Sequence, residues 1–76
     1  MMLSRRIVNI SDIDIMPRET ERPGLLEHIK KNGLTDRVWL KELPNGRYAI
    51  RDGRHRIDCC IEAGLTEIPA LITKLN

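Results

Sequence analysis

Hydrophobic and polar residues follow two different spacings along this chain, and each spacing predicts one kind of element. The segments 7–10, 37–43, 47–51 and 68–73 are short and rich in β-branched and large apolar residues, which predicts four strands. The segments 23–31 and 52–63 carry apolar residues three and four positions apart, which predicts two helices. The predicted order is strand, helix, a hairpin of two strands, helix and strand.

Proline and glycine mark the ends of these predicted elements. Pro23 suits the first turn of a helix, and Asn32-Gly33 supplies a left-handed stop at its other end. Gly64 ends the second helix in the same way. Asn45-Gly46 tolerates the positive φ angles of a type I′ hairpin turn. Pro69 has no backbone N–H, so we expect it near the start of the last strand or on a sheet edge.

Length and composition predict one small soluble domain over residues 1–76, since a chain of 76 residues has room for one core. With no Phe, one Trp and one Tyr, that core must come from Ile, Leu, Val and Ala. The net charge of +2 is too small to indicate nucleic-acid binding by itself. No apolar run reaches the ~18 residues of a membrane-spanning helix, and residues 1–6 lack the apolar stretch of a secretory signal. We therefore expect a cytoplasmic protein with no membrane partner.

The cysteines and histidines do not form a recognisable metal or redox motif. Cys59 and Cys60 are adjacent on the second helix, where neighbouring side chains point about 100° apart, so no mutual disulfide is expected. We expect Cys60 in the core and Cys59 nearer the edge of the apolar face, partly exposed. His28 and His55 are the only histidines, and neither belongs to a spaced ligand cluster.

The junction between the third strand and the second helix, residues 51–56, carries the strongest chemical signal in the sequence. Asp52 is a good N-cap, and Gly53 allows a close turn into the helix. The first amides of this helix have no partner within it, and the positive end of the helix dipole lies behind them. Arg54, His55 and Arg56 crowd the same turn. These features predict a phosphate-binding site.

The side chains at this turn have different expected roles. Arg56 borders the apolar face and is expected to reach a phosphate, whereas Arg54 is spaced to pair with Asp58. His55 is expected on the more exposed side of the helix together with Asp58, either solvated or facing the ligand. Asp52 places a carboxylate beside the phosphate, and a bridging Mg²⁺ would remove that repulsion.

Seven short segments occur in an order that is typical of one known superfamily: VNISDI (8–13), IKKNGL (29–34), VWL (38–40), GRYAI (46–50), DGRHR (52–56), AG (63–64) and IPA (68–70). Over nearly its whole length the chain resembles the ParB N-terminal/sulfiredoxin superfamily, which includes the domains named ParB-like nucleases. The resemblance implies an α+β fold with four strands in a mixed sheet and two main helices.

The resemblance also implies a nucleotide ligand, ATP or CTP, accompanied by Mg²⁺. The corresponding turn reads Gly-Glu-Arg-Arg in CTP-binding partition proteins and Gly-Gly-Cys-His-Arg in ATP-using sulfiredoxins. By position, the implied phosphate and nucleotide contacts are Gly53, Arg54, His55, Arg56, Gly33, Leu34 and Thr35. The related serine kinases use a carboxylate after the first strand as general base, which makes Glu19 and Glu21, together with His55, the candidate catalytic residues for phosphoryl transfer or NTP hydrolysis.

Two departures from the superfamily pattern limit what is implied. Arg54 replaces the catalytic Cys of sulfiredoxins, so sulfinic-acid reductase activity is not expected. The loop after Gly33 lacks the Gln-Pro of partition proteins, so the sequence does not choose CTP over ATP.

A second interpretation is a non-enzymatic module that binds DNA or a partner protein. Its contacts would come from the clustered arginines: Arg5, Arg6, Arg37, Arg51, Arg54 and Arg56. So small a core is marginal, and a partner, a ligand or a missing C-terminal region is expected to add stability; a homo-oligomer is among the expected partners. The polar segment 17–23, with two prolines and four charged residues, is interpreted either as a solvated surface loop or as a lid over a ligand.

Overall fold

A computed structural model describes residues 3–16 and 22–75 of the chain. The predicted loop over residues 17–23 therefore lies mostly outside the described residues. None of the helices among the described residues is long and apolar enough to span a bilayer.

The order of elements predicted from the sequence is confirmed. The strands are β1 (Leu3–Asn9), β2 (Val38–Glu42), β3 (Tyr48–Asp52) and β4 (Glu67–Thr73), and the helices are α1 (Pro23–Asn32) and α2 (Arg54–Glu62). β1 begins four residues earlier than predicted, and Ile10 belongs to a short 3-10 helix, Ile10–Asp12, instead of the strand. The polar residues at the start of β1 become a strand because they pair with β4 along its whole length.

The four strands form one mixed sheet in the order β1-β4-β2-β3, which confirms the predicted α+β fold. β4 pairs antiparallel with β1 on one side and parallel with β2 on the other. Pro69 lies near the start of β4, as predicted, although β4 is a central strand. Its missing N–H is tolerated at this point because the pairing of β4 with β2 starts one residue later, at Ala70.

The hydrophobic core lies between one face of the sheet and the two helices. Alternate residues of β4, namely Ile68, Ala70 and Ile72, are completely buried, as a strand with one covered face requires. Val38 and Leu40 of β2 are also completely buried beside them. The opposite face of the sheet has no element packed on it among the described residues.

The hairpin between β2 and β3 differs from the predicted type I′ turn. That turn needs positive φ at both central residues, but Gly46 has φ 82° and no non-glycine residue among the described ones has positive φ. The Gly46 N–H donates to the Leu43 carbonyl, and the Leu43 N–H donates to the Arg47 carbonyl, so the loop has three residues. Pro44 explains the difference, because its fixed negative φ suits a type I turn followed by a left-handed glycine.

Both cysteine side chains are completely buried free thiols. The expectation that Cys59 is partly exposed is therefore wrong. The cause is the start of α1, which covers this side of α2: the Cys59 thiol lies 3.9 Å from the Arg22 carbonyl oxygen. Burial, and to a lesser extent the neighbouring Cys59, raises the pKa of the Cys60 thiol from its ordinary 9.0 to about 11.

We expect the folded protein to lose stability as the pH rises from 9.0 towards 11, the interval between the two pKa values of Cys60. Over that interval the thiol ionises in the unfolded chain but stays protonated in the fold, so ionisation favours unfolding. Urea unfolding at a series of alkaline pH values measures this loss, and Cys60→Ala should reduce it. If Cys60→Ala loses as much stability as the parent protein over this pH interval, a different titrating group is responsible.

Candidate functional site

The junction between β3 and α2 is built around Gly53. This residue has φ 104° and ψ 22°, a left-handed conformation that turns the chain from the last residue of β3 into the first turn of α2. A Cβ on Gly53 would lie 2.8 Å from Cγ1 of Val38, so the chain also passes too close to β2 for any side chain here. The prediction that Asp52 caps the helix is wrong: Gly53 is the N-cap, and Asp52 is the last residue of β3. The left-handed turn lies between Asp52 and the helix, and no side chain makes the capping hydrogen bond.

The first turn of α2 presents backbone amides without intrahelical partners. The first backbone bond from α2 back to its cap is donated by Ile57 to the Gly53 carbonyl at 3.0 Å. The amides of Arg54, His55 and Arg56 precede that bond and have no carbonyl four residues back within the helix. They therefore supply donors at the positive end of the helix dipole, as an anion site requires.

A cavity of about 390 Å³ opens in front of these amides. Its walls come from the end of β3, the start of α2 and the start of α1. The cavity is lined by Arg22, Leu25, Ile50, Arg51, Asp52, Gly53, Arg54, His55 and Arg56. Four arginines and one aspartate give it a net positive lining, although the Arg51 guanidinium stacks on Trp39 and the Arg54 guanidinium is paired with Asp58; two aliphatic residues give it an apolar wall. Such a combination suits a ligand with both an anionic and an apolar part.

The structure brings five of the predicted site residues together around the cavity, namely Asp52, Gly53, Arg54, His55 and Arg56. It does not bring the remaining predicted contacts to the cavity. The predicted nucleotide wall Gly33, Leu34 and Thr35 does not line this cavity. Among the described residues, Arg56 Nη1 donates to the Arg37 carbonyl at 3.3 Å and so connects the site to the loop that contains this wall.

The cavity also contains residues that sequence reasoning did not assign to it. Arg22 and Leu25 belong to the start of α1, and only the packing of α1 beside α2 places them opposite the junction. Ile50 precedes the junction on β3, and Arg51 belongs to the junction but was not among the predicted phosphate contacts. The pattern of the sequence marks Leu25 as core and gives no signal for Arg22. The Arg51 guanidinium lies 5.3 Å from the centre of the Trp39 ring, a cation–π contact that holds it at the sheet edge.

Arg54 is held by two contacts, one within α2 and one to the chain that follows the 3-10 helix. Its Nε donates to Asp58 Oδ1 at 2.9 Å, and its Nη2 donates to the Met16 carbonyl. The predicted pairing of Arg54 with Asp58 is confirmed, but the expectation that Asp58 lies on the exposed side is wrong, because its side chain is 1% exposed. His55, the neighbour of Arg54, is half-buried at the cavity wall.

The proposed metal and catalytic residues have unequal structural support. Asp52 is the one carboxylate among the residues that line the cavity. Within the described ranges no group of three or more potential metal ligands occurs, so any Mg²⁺ here would depend on phosphate oxygens for further ligands. The candidate bases Glu19 and Glu21 lie outside the described residues, and His55 is the candidate that reaches the cavity.

The fold is similar to solved partition proteins. The C-terminally truncated chromosome-partitioning protein ParB from Caulobacter crescentus, complexed with CTP-gamma-S, aligns with a TM-score of 0.78 and 22% identity over 96% of this chain and 46% of that chain. The same kind of truncated ParB complexed to the centromeric parS site aligns with a TM-score of 0.72 and 25% identity, over 93% of this chain and 41% of that chain. A Pnob8-like ParB-N domain aligns with a TM-score of 0.75 and 17% identity, over 99% of this chain and 30% of that chain. This chain therefore spans less than half the length of each of these structures.

Sequence comparison gives the family more directly. A search of curated proteins found no significant match to this chain. A family model described as the ParB N-terminal domain matches residues 6–76, which is almost the entire sequence and includes every strand and helix except the start of β1. The chain belongs to the ParB N-terminal domain family.

Proposed function

We propose that the chain binds the phosphates of a nucleoside triphosphate, CTP or ATP, in the cavity at the β3–α2 junction. The observation that carries this proposal is the positively lined cavity of about 390 Å³ in front of the free amides of α2. A relative of the same fold was solved as a complex with CTP-gamma-S, which supports CTP as the first nucleotide to test. The cavity volume falls within the range of about 300–1,000 Å³ that is usual for small-molecule sites.

Each part of the site has a distinct task in this scheme. The amides of residues 54–56 would donate to phosphate oxygens, and Arg56 and Arg22 would add charge from two sides of the cavity. Leu25 and Ile50 would cover an apolar part of the nucleoside. Arg54 is braced by Asp58, so its guanidinium is already oriented before a ligand arrives.

Mg²⁺ would be held between Asp52 and the phosphates. Asp52 is exposed at the cavity, and a carboxylate at this position repels a triphosphate unless a cation lies between them. Mg²⁺ usually binds through one or two carboxylates together with substrate phosphates. Equal affinity with Mg²⁺ and with EDTA would remove the metal from the scheme and leave the phosphate site intact.

We expect CTP to raise the melting temperature of the protein, because a ligand that binds only the folded state stabilises it. At a concentration of about 100 times Kd the stabilisation is about 2.7 kcal/mol, which in a domain of this size is a shift of about 10 °C or more. Differential scanning fluorimetry with CTP, ATP, GTP and UTP, each with Mg²⁺, measures the shift and ranks the bases.

The matched variants for this measurement are Arg56→Ala in the cavity and Arg5→Ala on β1, which exchange the same side chain at two sites. Loss of a charged hydrogen bond costs about 1.5–3 kcal/mol, so Arg56→Ala should weaken binding at least tenfold. Arg5→Ala should bind as the parent protein does. If the nucleotide raises the melting temperature of both variants by the same amount, the ligand binds elsewhere. If no nucleotide raises the melting temperature of the parent protein, the proposed function is refuted.

Binding is the function that the geometry supports best, and hydrolysis or phosphoryl transfer is a further step. It would need a base near the terminal phosphate, and His55 is the candidate that lines the cavity. Release of inorganic phosphate from CTP and ATP by the parent protein and by His55→Gln tests this role separately from binding.

A DNA-binding module is the second candidate function, because a relative of the same fold was solved as a complex with the parS site. The arginines that would serve it here are not gathered on one surface: Arg6 is bound to Tyr48 and Glu42, whereas Arg54 is held at Asp58. Salt-sensitive binding to a duplex that is indifferent to nucleotide would favour this function over the first.

A further inference from the structure

The sheet face opposite the helices carries a row of apolar side chains. Leu3 and Ile7 are 52% and 59% exposed, and they lie on the same side of β1, roughly 13 Å apart at strand spacing. The strand register places Leu71 of β4 beside this pair and Trp39 of β2 beside Leu71. The indole N–H of Trp39 donates to Thr73 Oγ1 at 2.7 Å, which fixes the ring on this face. We refer to this surface, with the cations described next, as the outer face.

Three cations lie on the outer face, and one of them, Arg5, interrupts the apolar row opposite Leu71. Arg5 lies between Leu3 and Ile7 on β1, Lys41 lies two residues beyond Trp39 on β2, and the Arg51 guanidinium stacks on the Trp39 ring. The ion pairs among the described residues do not engage any of these three cations. By register two acidic strand residues belong to this face: Glu67, at the beginning of β4, and Asp52 of β3, which pairs with Trp39 across the irregularity in β2 and β3. The outer face therefore combines apolar side chains with three cations and two carboxylates, which leaves it with a net positive charge.

We propose that the outer face is a docking surface for an amphipathic helix of another protein whose apolar stripe is flanked by Asp or Glu. Apolar contacts would cover Leu3, Ile7 and Leu71, and the flanking carboxylates would meet Arg5, Lys41 and Arg51. A helix fits because β4 and β2 are paired on both edges, so a segment lying across this face must satisfy its own backbone hydrogen bonds. The docked helix would complete a three-layer arrangement with the sheet between two helical layers.

The charge and composition of the outer face disfavour other occupants. A second copy of the chain would bring a face of the same net positive charge against this one, which is repulsive. A single-stranded nucleic acid needs aromatic platforms on which bases stack. The face has one aromatic ring, Trp39, and that ring is already engaged by Arg51 and Thr73. The remaining apolar side chains are aliphatic.

The single tryptophan of the chain lies on the outer face and reports its occupancy directly. The test is a fluorescence titration of the full chain with a synthetic helical peptide that has a Leu stripe flanked by Glu. We expect a saturable change in Trp39 emission and no change with the matched peptide in which Lys replaces Glu. Ile7→Lys and Arg5→Glu should each weaken binding at least tenfold, whereas Lys30→Glu, an exposed charge reversal on α1, should not.

Several outcomes would overturn the proposal. These are no saturable signal with the acidic peptide, or binding that is unchanged in both Ile7→Lys and Arg5→Glu. A response only to single-stranded oligonucleotides or to vesicles of anionic phospholipid would replace the peptide with that ligand. Ile7 is largely exposed, so Ile7→Lys should fold normally, and thermal unfolding of the variant checks this. If nucleotide raises the melting temperature of Ile7→Lys as much as that of the parent protein, the outer face and the cavity act independently.

Discussion

Gly53→Ala is expected to destabilise the protein by about 3 kcal/mol, because the new methyl group meets two separate penalties. A left-handed backbone costs a non-glycine residue about 1–2 kcal/mol. The added Cβ would also lie 2.8 Å from Val38 Cγ1 and 3.3 Å from the Val38 Cα, and the second of these is a backbone atom that cannot rotate away. Overpacking of this kind costs about 1–3 kcal/mol. Chemical denaturation of the variant measures the sum.

Two other glycines of the chain separate the two penalties. Gly46 has a positive φ of 82° but no atom within 4 Å of its would-be Cβ, so Gly46→Ala should show the backbone cost alone. Gly24 lies in α1 with open space around it, and Gly24→Ala should leave stability unchanged or raise it by up to about 1 kcal/mol. If Gly53→Ala and Gly46→Ala unfold at the same denaturant concentration, the close approach of the junction to β2 has no energetic consequence.

Asp58→Ala is expected to cost about 3 kcal/mol of stability, since it breaks an ion pair whose acidic partner is buried. The Asp58 side chain is 1% exposed and receives a hydrogen bond of 2.9 Å from Arg54 Nε. The loss should also release Arg54 from its fixed orientation and with it the contact to the Met16 carbonyl. The loss of stability in the double variant Arg54→Ala/Asp58→Ala should be smaller than the sum of the losses in the two single variants. Each single variant loses the interaction between the two side chains, but the double variant loses it only once.

Asp14→Ala is the matched control for this experiment. Asp14 also pairs with an arginine, Arg47, at 3.8 Å, but its side chain is 65% exposed. Exposed pairs contribute about 0–1 kcal/mol, so this variant should unfold close to the parent protein. Equal losses in Asp58→Ala and Asp14→Ala would show that burial does not govern the strength of these pairs.

The elements of the fold could be predicted from the sequence because their ends are marked locally. Pro23 and Gly33 bound α1, and the turn around Asn45-Gly46 separates β2 from β3. The details that local patterns missed were decided by neighbours. Pro44 set the turn type, and the first residues of β1 became a strand only through their pairing with β4.

One half of the candidate site could be predicted from the sequence. The junction itself, Asp52 to Arg56, is a continuous stretch whose residue types indicate an anion site without knowledge of the fold. The opposite wall of the cavity, at the start of α1, cannot be predicted from a continuous stretch of sequence, because Arg22 reaches the cavity only when α1 packs beside α2. Asp58 was expected to be solvated because its spacing to Arg54 is a local signal, whereas its burial depends on the packing of α2 in the fold, which that spacing does not reveal.

The central position of β4 has a consequence for the synthesis of the chain. β1 is made before the other three strands, yet within the described part of the chain it pairs with β4 alone, the strand that follows the others in sequence. Until residue 73 has emerged from the ribosome, β1 has nothing to pair with, and the parallel edge of β2 is open as well. The complete sheet can therefore form only after β4 is available, and contacts between parts of the chain that are distant in sequence are expected to slow folding.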